Sequence, residues 1–292
     1  MLDLEYRHVD VFSRVAFQGN GLVVVLGADG LTTALQQELT REVRQFETSF
    51  VSDLRLESRT AQLRVFTEEE ELGFAGHPVL GAGAVLHALL TRPAVEETWT
   101  VELGGRSLTV LTRGREGWVD ASMDQGPADF GPIVTGELQD RYWEALGLPG
   151  TAVRAELPMQ MVSTGLPYLI VPVQPEGLAV AAIQALDFEA LLAESGAKFV
   201  YVLDPAGSEG RTWDNYGRTE DVATGSAAGP AAAYLIEHGL HSGASTLTIA
   251  QGRFTGRPSI IEVTRTSGDG HLWVGGPVAP VAAGRFQARV PL

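Results

Sequence analysis

The chain has 292 residues, 45% hydrophobic and 20% charged, so it is long enough for two domains with cores of ordinary size. It contains no cysteine, which excludes disulfide scaffolds, thiolate metal sites and cysteine nucleophiles. The formal net charge of -15 argues against nucleic-acid and anionic-membrane partners, because both are bound by basic patches. The sequence has neither a leader pattern nor an apolar run of membrane-spanning length, so we predict a cytoplasmic protein.

Strands and helices alternate along the first half of the sequence. Apolar runs bounded by glycine and polar turns predict strands, and apolar residues spaced one turn apart predict helices. Proline suits the first turn of the second helix, and a Gly-Gly pair predicts a hairpin between the last two strands. The predicted elements are strands at 9–12 and 22–26, a helix at 31–45 capped by Thr32 or Thr33, strands at 48–51 and 62–67, a helix at 78–90, and strands at 99–103 and 107–112.

The second half follows a similar order. A glycine just after the last long helix, Gly239, is a typical helix terminator. The predicted elements are strands around a turn within 161–171, helices at 176–185 and 187–194, a strand at 198–203, an irregular stretch at 210–217, a helix at 226–238, and strands at 247–250, 259–263 and 272–275.

Four pairs of positions suggest that the chain is an internal duplication. Each pair is separated by 146 to 149 residues, and the pairs occur in the same order along both halves. They are Gly19 with Gly165, Arg64 with Arg211 (each at the start of a strand), Gly76 with Gly225, and Gly104 with Gly252. Two similar domains facing a cleft are therefore predicted, although chance alignment in a glycine-rich chain gives the same pattern.

Two polar turns that each lead into a helix of small residues are the candidate functional segments. They run from Glu71 to Pro78 and from Glu220 to Ala227. Backbone N–H groups at a helix start attract anions, so the pair predicts a carboxylate or phosphate site. Ordinary capping by Thr224 or Ser226 is the alternative.

Three titratable residues stand out, each with a structural alternative. His77 enters the first small-residue helix and is the repeat partner of Ser226. Glu47 lies in an aromatic-rich segment, where partial desolvation would favour proton transfer; the alternative is an exposed glutamate at a helix-to-strand junction. Asp221 precedes the second turn, where it would orient His77 or a substrate amine, or simply favour the helix dipole.

Other common chemistries lack a motif. There is no Gly-x-Gly-x-x-Gly or Gly-Lys-Ser/Thr phosphate loop and no Gly-x-Ser-x-Gly elbow, so hydride transfer, nucleotide hydrolysis and serine hydrolysis have no support. The acidic run at 68–71 is predicted to be a solvated loop, and no spacing resembles a metal site.

The motifs resemble those of the PhzF-like phenazine-biosynthesis family over almost the whole chain. The matching stretches are Val9-Asp-Val-Phe with Gly19-Asn20, Phe46-Glu-Thr-Ser-Phe-Val, Arg64-Val-Phe-Thr, Glu71-Leu-Gly-Phe-Ala-Gly-His-Pro, Glu220-Asp-Val-Ala-Thr-Gly-Ser-Ala-Ala-Gly-Pro and Gln251-Gly-Arg-Phe-Thr-Gly-Arg-Pro. The resemblance implies an α+β fold of the diaminopimelate epimerase type, with two similar domains, each a β-barrel-like sheet around a central helix. The expected domains are 1–120 and 121–292, with the last strand near 283–292 returning to the first.

The resemblance also implies an isomerase that needs no cofactor or metal and acts on a small carboxylic acid. It further implies that the protein is a homodimer. Glu47 falls on the family's catalytic glutamate, while His77 and Asp221 fall on residues that hold the substrate and assist proton relay. Substrate-binding roles are implied for Gly76, Gly225, Ser226 and Asn20.

Differences from the family pattern leave the substrate open. Phe46 replaces a common serine, Gly21 and Gly73 replace prolines, and 211–216 lacks the usual Phe-x-Pro, so Phe46, Trp213 and Tyr216 are expected to reshape the pocket. We predict an isomerase related to trans-2,3-dihydro-3-hydroxyanthranilate isomerase. The alternatives are an epimerase or racemase without thiol bases, since the epimerase cysteines align with Gly73 and Val222, and a non-catalytic binding protein.

Overall fold

The computed structural model describes residues 2–91 and 95–289. The helices are α1 (Thr33–Val43), α2 (His77–Ala88), α3 (Glu137–Ala145), α4 (Pro175–Val180), α5 (Phe188–Glu194) and α6 (Gly225–Glu237), with a short 3-10 turn at Arg253–Thr255. The strands are β1 (Leu2–Val11), β2 (Asn20–Leu26), β3 (Thr48–Arg55), β4 (Thr60–Phe66), β5 (Glu71–Leu72), β6 (Glu96–Leu103), β7 (Arg106–Gly114), β8 (Val119–Asp124), β9 (Asp129–Val134), β10 (Met159–Ser163), β11 (Pro167–Pro172), β12 (Phe199–Asp204), β13 (Glu209–Arg211), β14 (Leu247–Gln251), β15 (Ser259–Arg265) and β16 (Leu272–Ala288).

The chain divides into two compact units. Unit 1 comprises Met1–Asp124 and Gly275–Leu292, and unit 2 comprises Gln125–Val274. The last strand therefore ends within unit 1, where it pairs with β1 in antiparallel register from Val278 to Ala288. Residues 290–292 of the strand predicted near 283–292 lie outside the described residues.

The strands of unit 1 form an eight-stranded barrel. The order is β1-β2-β3-β4-β6-β7-β8, and β16 neighbours both β8 and β1, which closes the ring. The β2–β3 and β4–β6 pairs are parallel, and each is bridged by a helix, α1 and α2 respectively. Crossover helices of this kind are what parallel neighbours require.

Helix α2 fills the centre of this barrel. Every residue from His77 to His87 is buried, and the helix is apolar all round, as expected of a helix surrounded by a sheet. Its small residues permit close approach: a Cβ atom on Gly81 would lie 2.4 Å from Leu22 Cδ2 and 3.0 Å from Val11 Cγ2. Both strand residues are fully buried, so neither side chain has room to move away.

We therefore expect Gly81→Ala to destabilise the protein. Overpacking typically costs about 1–3 kcal/mol, which outweighs the gain of about 1 kcal/mol that alanine brings to a helix. The free energy of unfolding from urea denaturation checks this expectation. Gly150→Ala is the matched control, because a Cβ atom at Gly150 meets nothing within 4 Å. Equal stability of the two variants would contradict it.

Unit 2 contains the same sequence of strand pairings. Here the order is β9-β10-β11-β12-β13-β14-β15. The β11–β12 and β13–β14 pairs are parallel and correspond to β2–β3 and β4–β6, while the remaining pairs are antiparallel. Helix α6 follows β13 as α2 follows β4, and its residues from Ala227 to Leu235 are buried.

The structure differs from the sequence predictions in both halves of the chain. The predicted helix at 176–185 ends at Val180, because the backbone N–H groups of Ala182 and Gln184 donate to carbonyls at the end of α3 instead. Arg64 and Arg211 do not begin strands: Arg64 lies inside β4 and Arg211 ends β13. Strands β8 and β9 and helix α3 were not predicted, although β8 alternates apolar and polar residues and α3 places Leu138 and Tyr142 one turn apart.

Among the described helices, none has the length and apolar composition needed to cross a membrane.

Candidate active site

In unit 1 the candidate site is built where β2, β3 and α2 begin. Asn20 is the first residue of β2, Glu47 directly precedes β3, and His77 is the first residue of α2. Gly19 makes the turn before Asn20 possible: its φ is +71°, and a Cβ atom there would lie 2.4 Å from the Val11 carbonyl oxygen. Three predicted site residues that are distant in sequence thus meet at one end of the barrel.

The three side chains are buried and in contact. Glu47 Oε2 lies 3.3 Å from His77 Nε2, and Asn20 Nδ2 lies 3.4 Å from His77 Nδ1. Their exposed fractions are 9% for Glu47, 6% for His77 and 3% for Asn20. The alternative of an exposed glutamate at a helix-to-strand junction is therefore wrong.

His77 is neutral at physiological pH. Burial lowers its pKa to about 3, because a desolvated imidazolium is costly. The Asn20 amide nitrogen can only donate, so Nδ1 accepts and the ring proton of the neutral imidazole lies on Nε2. That N–H points toward the Glu47 side of the ring without the alignment of a hydrogen bond, and within the described residues Nε2 has no other hydrogen-bond partner.

In unit 2 a second polar cluster surrounds the start of α6. Thr224 Oγ1 donates to Asp221 Oδ2 at 2.5 Å, so the Thr224 hydroxyl does not cap the helix as one alternative supposed. Gln251 Nε2 donates to the Asp221 carbonyl and to Thr224 Oγ1, at 2.9 and 3.0 Å. Its Oε1 accepts from Thr224 N at 3.2 Å and from the Tyr201 hydroxyl at 3.2 Å. Gln251 therefore fixes the turn that carries Asp221.

Ser226 and Gly225 lie in the first turn of α6. Ser226 Oγ is 2.8 Å from the Tyr168 hydroxyl oxygen, and Gln125 Nε2 donates to the Gly225 carbonyl at 3.1 Å. The first backbone N–H groups of a helix have no intrahelical acceptor, so those of Gly225 and Ser226 are free of the helical ladder and suit an anion. Helix α2 offers fewer such donors after Gly76, since Pro78 has no N–H.

Sequence reasoning missed the residues that support the second cluster. Gln251, Tyr201 and Tyr168 carry no charge, and their spacing matches no catalytic pattern. The motif Gln251-Gly-Arg-Phe in the family resemblance was the one available signal for Gln251.

The residues that distinguish the chain from the family pattern differ in how exposed they are. Phe46 is half-exposed beside Glu47, and Tyr216 is exposed, whereas Trp213 is buried in the core of unit 2. A Cβ atom on Gly21 would lie 2.7 Å from Gln45 Oε1, so glycine leaves room for the Gln45 side chain just before Phe46.

The unit 1 cluster has the components of acid–base chemistry. A carboxyl group in a protected position can take and return a proton, and a neutral imidazole N–H can donate a hydrogen bond to a developing negative charge. Across residues 2–91 and 95–289, no group of three or more histidine or acidic side chains is arranged to hold a metal ion.

Comparison with known proteins places the chain among isomerases. Residues 9–284 match the model of the family described as phenazine biosynthesis-like protein. The chain is 32% identical over 276 residues to the uncharacterized isomerase YddE of Escherichia coli O157:H7, covering 90% of each protein. It is 33% identical over 270 residues to trans-2,3-dihydro-3-hydroxyanthranilate isomerase of Pseudomonas chlororaphis, covering 88% of each.

Solved structures agree. A predicted epimerase from Pseudomonas aeruginosa, PA4716, superposes with a TM-score of 0.90 at 43% identity, covering 98% of this chain and 100% of that one. A probable proline racemase from Agrobacterium radiobacter K84 has a TM-score of 0.62 at 15% identity, covering 99% and 93%, which shows a shared fold. The predicted α+β fold of the diaminopimelate epimerase type is confirmed. The chain belongs to the phenazine biosynthesis-like protein family and is an isomerase of that family.

Proposed function

We propose that the protein moves a proton between two carbons of a small cyclic carboxylic acid, without a metal or cofactor. The observation that carries the proposal is the buried contact between Glu47 and a neutral His77, which Asn20 orients through Nδ1. One carboxyl group that takes a proton from one carbon and returns it to another suffices for such a shift. Inversion at a single carbon usually requires two groups on opposite faces.

In this proposal Glu47 is the general acid/base and His77 is a hydrogen-bond donor. Because burial lowers the His77 pKa to about 3, the imidazole is not protonated near neutral pH and is not the proton source. Its Nε2–H instead stabilises charge that develops on the substrate. Asn20 keeps the ring in the tautomer that this role requires.

In the same proposal the substrate is contacted by Asp221, Ser226, Gly225 and Gly76. The first N–H groups of α6 are suited to a carboxylate, and Asp221 is suited to an amine or hydroxyl group of the substrate. The Asp221 carboxylate is already held by Thr224, which would limit its motion on binding.

The name of a relative supports the proposed substrate class. The Pseudomonas chlororaphis protein is named for trans-2,3-dihydro-3-hydroxyanthranilate, an acid of the proposed class, and that compound is the first candidate for this chain. Epimerisation is the second candidate, because the structure that is 43% identical is described as a predicted epimerase.

Proton exchange in D₂O tests both candidates. We expect that, in a screen of dihydroaromatic and aromatic acids by proton NMR, at least one acid gains deuterium at a new ring carbon as its double bonds move. Deuterium at one stereocentre, with inversion and no shift of the double bond, would favour epimerisation instead. Binding without any exchange would overturn the proposed reaction.

We also propose a cytoplasmic homodimer, on the strength of the family resemblance. Light scattering coupled to size-exclusion chromatography distinguishes a dimer of 31.1 kDa subunits from a monomer.

A further inference from the structure

Arg211 occupies an unusual position for an arginine. It is 8% exposed, and its guanidinium forms a two-bond fork with Glu220: Nε to Oε1 at 2.9 Å and Nη2 to Oε2 at 2.6 Å. Nη1 donates to two carbonyls at the end of α4, Leu178 O at 2.6 Å and Ala181 O at 3.1 Å. The arginine thus ties the segment before α6 to the end of α4.

Aromatic rings hold the plane of this guanidinium. Its central carbon lies 4.7 Å from the centroid of the Trp213 ring and 4.2 Å from that of Phe254. A planar cation packed against rings and bonded along two edges has one orientation, which a lysine ammonium cannot reproduce.

The fork holds the backbone on which Asp221 stands. Glu220 immediately precedes Asp221 and pairs with Trp213 in a β-bridge, while the Asp221 N–H donates to the Thr212 carbonyl at 3.0 Å. Asp221 then receives the Thr224 hydroxyl. Arg211 and the two residues after it therefore bind the chain at Glu220 and at the backbone N–H of Asp221.

The same arrangement recurs in unit 1. Arg64 forms a fork with Glu71, with Nε to Oε1 at 2.6 Å and Nη2 to Oε2 at 2.5 Å, and Nη2 also donates to Thr33 Oγ1 of α1 at 3.0 Å. Its central carbon lies 5.0 Å from the Phe66 ring centroid, and Phe66 follows Arg64 by two residues, as Trp213 follows Arg211. Glu71 precedes His77 by six residues, as Glu220 precedes Ser226.

Stability alone is a weak explanation for the buried fork. A buried ion pair frequently contributes no more stability than well-packed apolar side chains of the same volume, because both charges lose their hydration. What the fork supplies is a fixed direction for the chain. In both units that direction is imposed on the turn entering the buried helix.

We infer that Arg211 is a positioning residue that holds Asp221 in its working orientation. The inference rests on the proposed role of Asp221 as a substrate contact. Arg64 is its counterpart for the turn before His77, in a more exposed setting, with side-chain exposed fractions of 32% for Arg64 and 10% for Arg211.

The test compares Arg211→Lys with Arg141→Lys. Arg141 also forms a two-bond ion pair in unit 2, through Nη1 and Nη2 to Glu194 between α3 and α5, but at the surface, so the control makes the same substitution at a pair away from Asp221. For Arg211→Lys we expect the maximal rate of exchange in D₂O to fall by about 10- to 100-fold, because misplacing a contact group by about 1 Å has effects of this size. The Arg141 variant should keep the wild-type rate.

A second readout does not depend on activity. Amide hydrogen exchange should speed up at Asp221 and Thr224 in Arg211→Lys, while amides of β10 and β11 keep wild-type protection. A merely structural role would raise exchange throughout unit 2 and lower the rate only in proportion to the folded fraction.

The two proposals fail in different ways. Wild-type protein that binds acids without exchanging protons overturns the proposed reaction, and the amide measurements still decide the role of Arg211. Unchanged protection at Asp221 and Thr224 in Arg211→Lys, or a fully active variant, overturns the positioning role.

Discussion

Glu47→Gln is expected to lower the rate of proton exchange by about 10²- to 10⁴-fold, the range typical for loss of a general acid/base. Glutamine has nearly the same shape as glutamate, so the contact with His77 and the start of β3 should persist. Its amide, however, cannot accept a proton from carbon. Proton NMR in D₂O with a substrate acid measures the effect directly.

The control and the binding measurement separate catalysis from folding. Glu102→Gln makes the same change at an exposed position on β6 and should leave exchange at the wild-type rate. Titration of the acid by calorimetry should give Glu47→Gln an affinity close to that of the wild type, because the carboxylate contacts are assigned to other residues. If the Glu47 variant exchanges protons as fast as the wild type, another base carries the reaction.

The central position of the two small-residue helices was predicted from the family resemblance, and their composition agrees with it. A run of small apolar residues entered through Pro78 has no polar face, so it can only be surrounded by other elements, as α2 is. The end of α4 was not predictable in the same way. There the chain leaves the helix because N–H groups at 182 and 184 find acceptors on α3, which are distant in sequence.

In the candidate site, too, some residues could be predicted from the sequence and others depend on contacts between distant parts of the chain. His77 and Ser226 could be singled out because both enter a small-residue helix at matching positions of the repeat. Burial of Glu47 depends on how β2, β3 and α2 meet, and spacing alone favoured an exposed side chain. Gln251 was missed because its four hydrogen bonds reach residues at least 27 positions away, and a neutral amide gives no sign of them in the sequence.

The surroundings of His77 keep its imidazole uncharged. His77 lies deep enough for burial to dominate its titration, and the acceptor role of Nδ1 toward Asn20 fixes the proton on Nε2. A cationic ring beside Glu47 would hold the carboxylate in an ion pair and weaken it as a base. A neutral ring leaves the carboxylate able to take the proton.

The pH dependence of stability should reveal the neutral state of His77. Its ordinary pKa of 6.5 falls to about 3 in the folded protein, so between these values the unfolded chain binds a proton that the folded chain does not. The free energy of unfolding is therefore not lowered by this group above pH 6.5, and it decreases as the pH falls below that value. The slope approaches about 1.4 kcal/mol per pH unit, or roughly 2 kcal/mol between pH 6.5 and pH 5.

Urea denaturation at a series of pH values measures this slope. We expect His77→Gln to flatten the curve between pH 6.5 and pH 5 by most of that amount, whatever its stability at neutral pH. His241→Gln is the control: it removes an imidazole from a partly exposed turn after α6, so an effect common to any histidine deletion would show in both variants. Burial also lowers the pKa of His87 and His238. Both variants retain these two histidines, so their effect on the slope cancels in the comparison. Parallel curves for wild type and His77→Gln would mean that the folded protein protonates His77 near its ordinary pKa, and the ring would then face Glu47 as a cation.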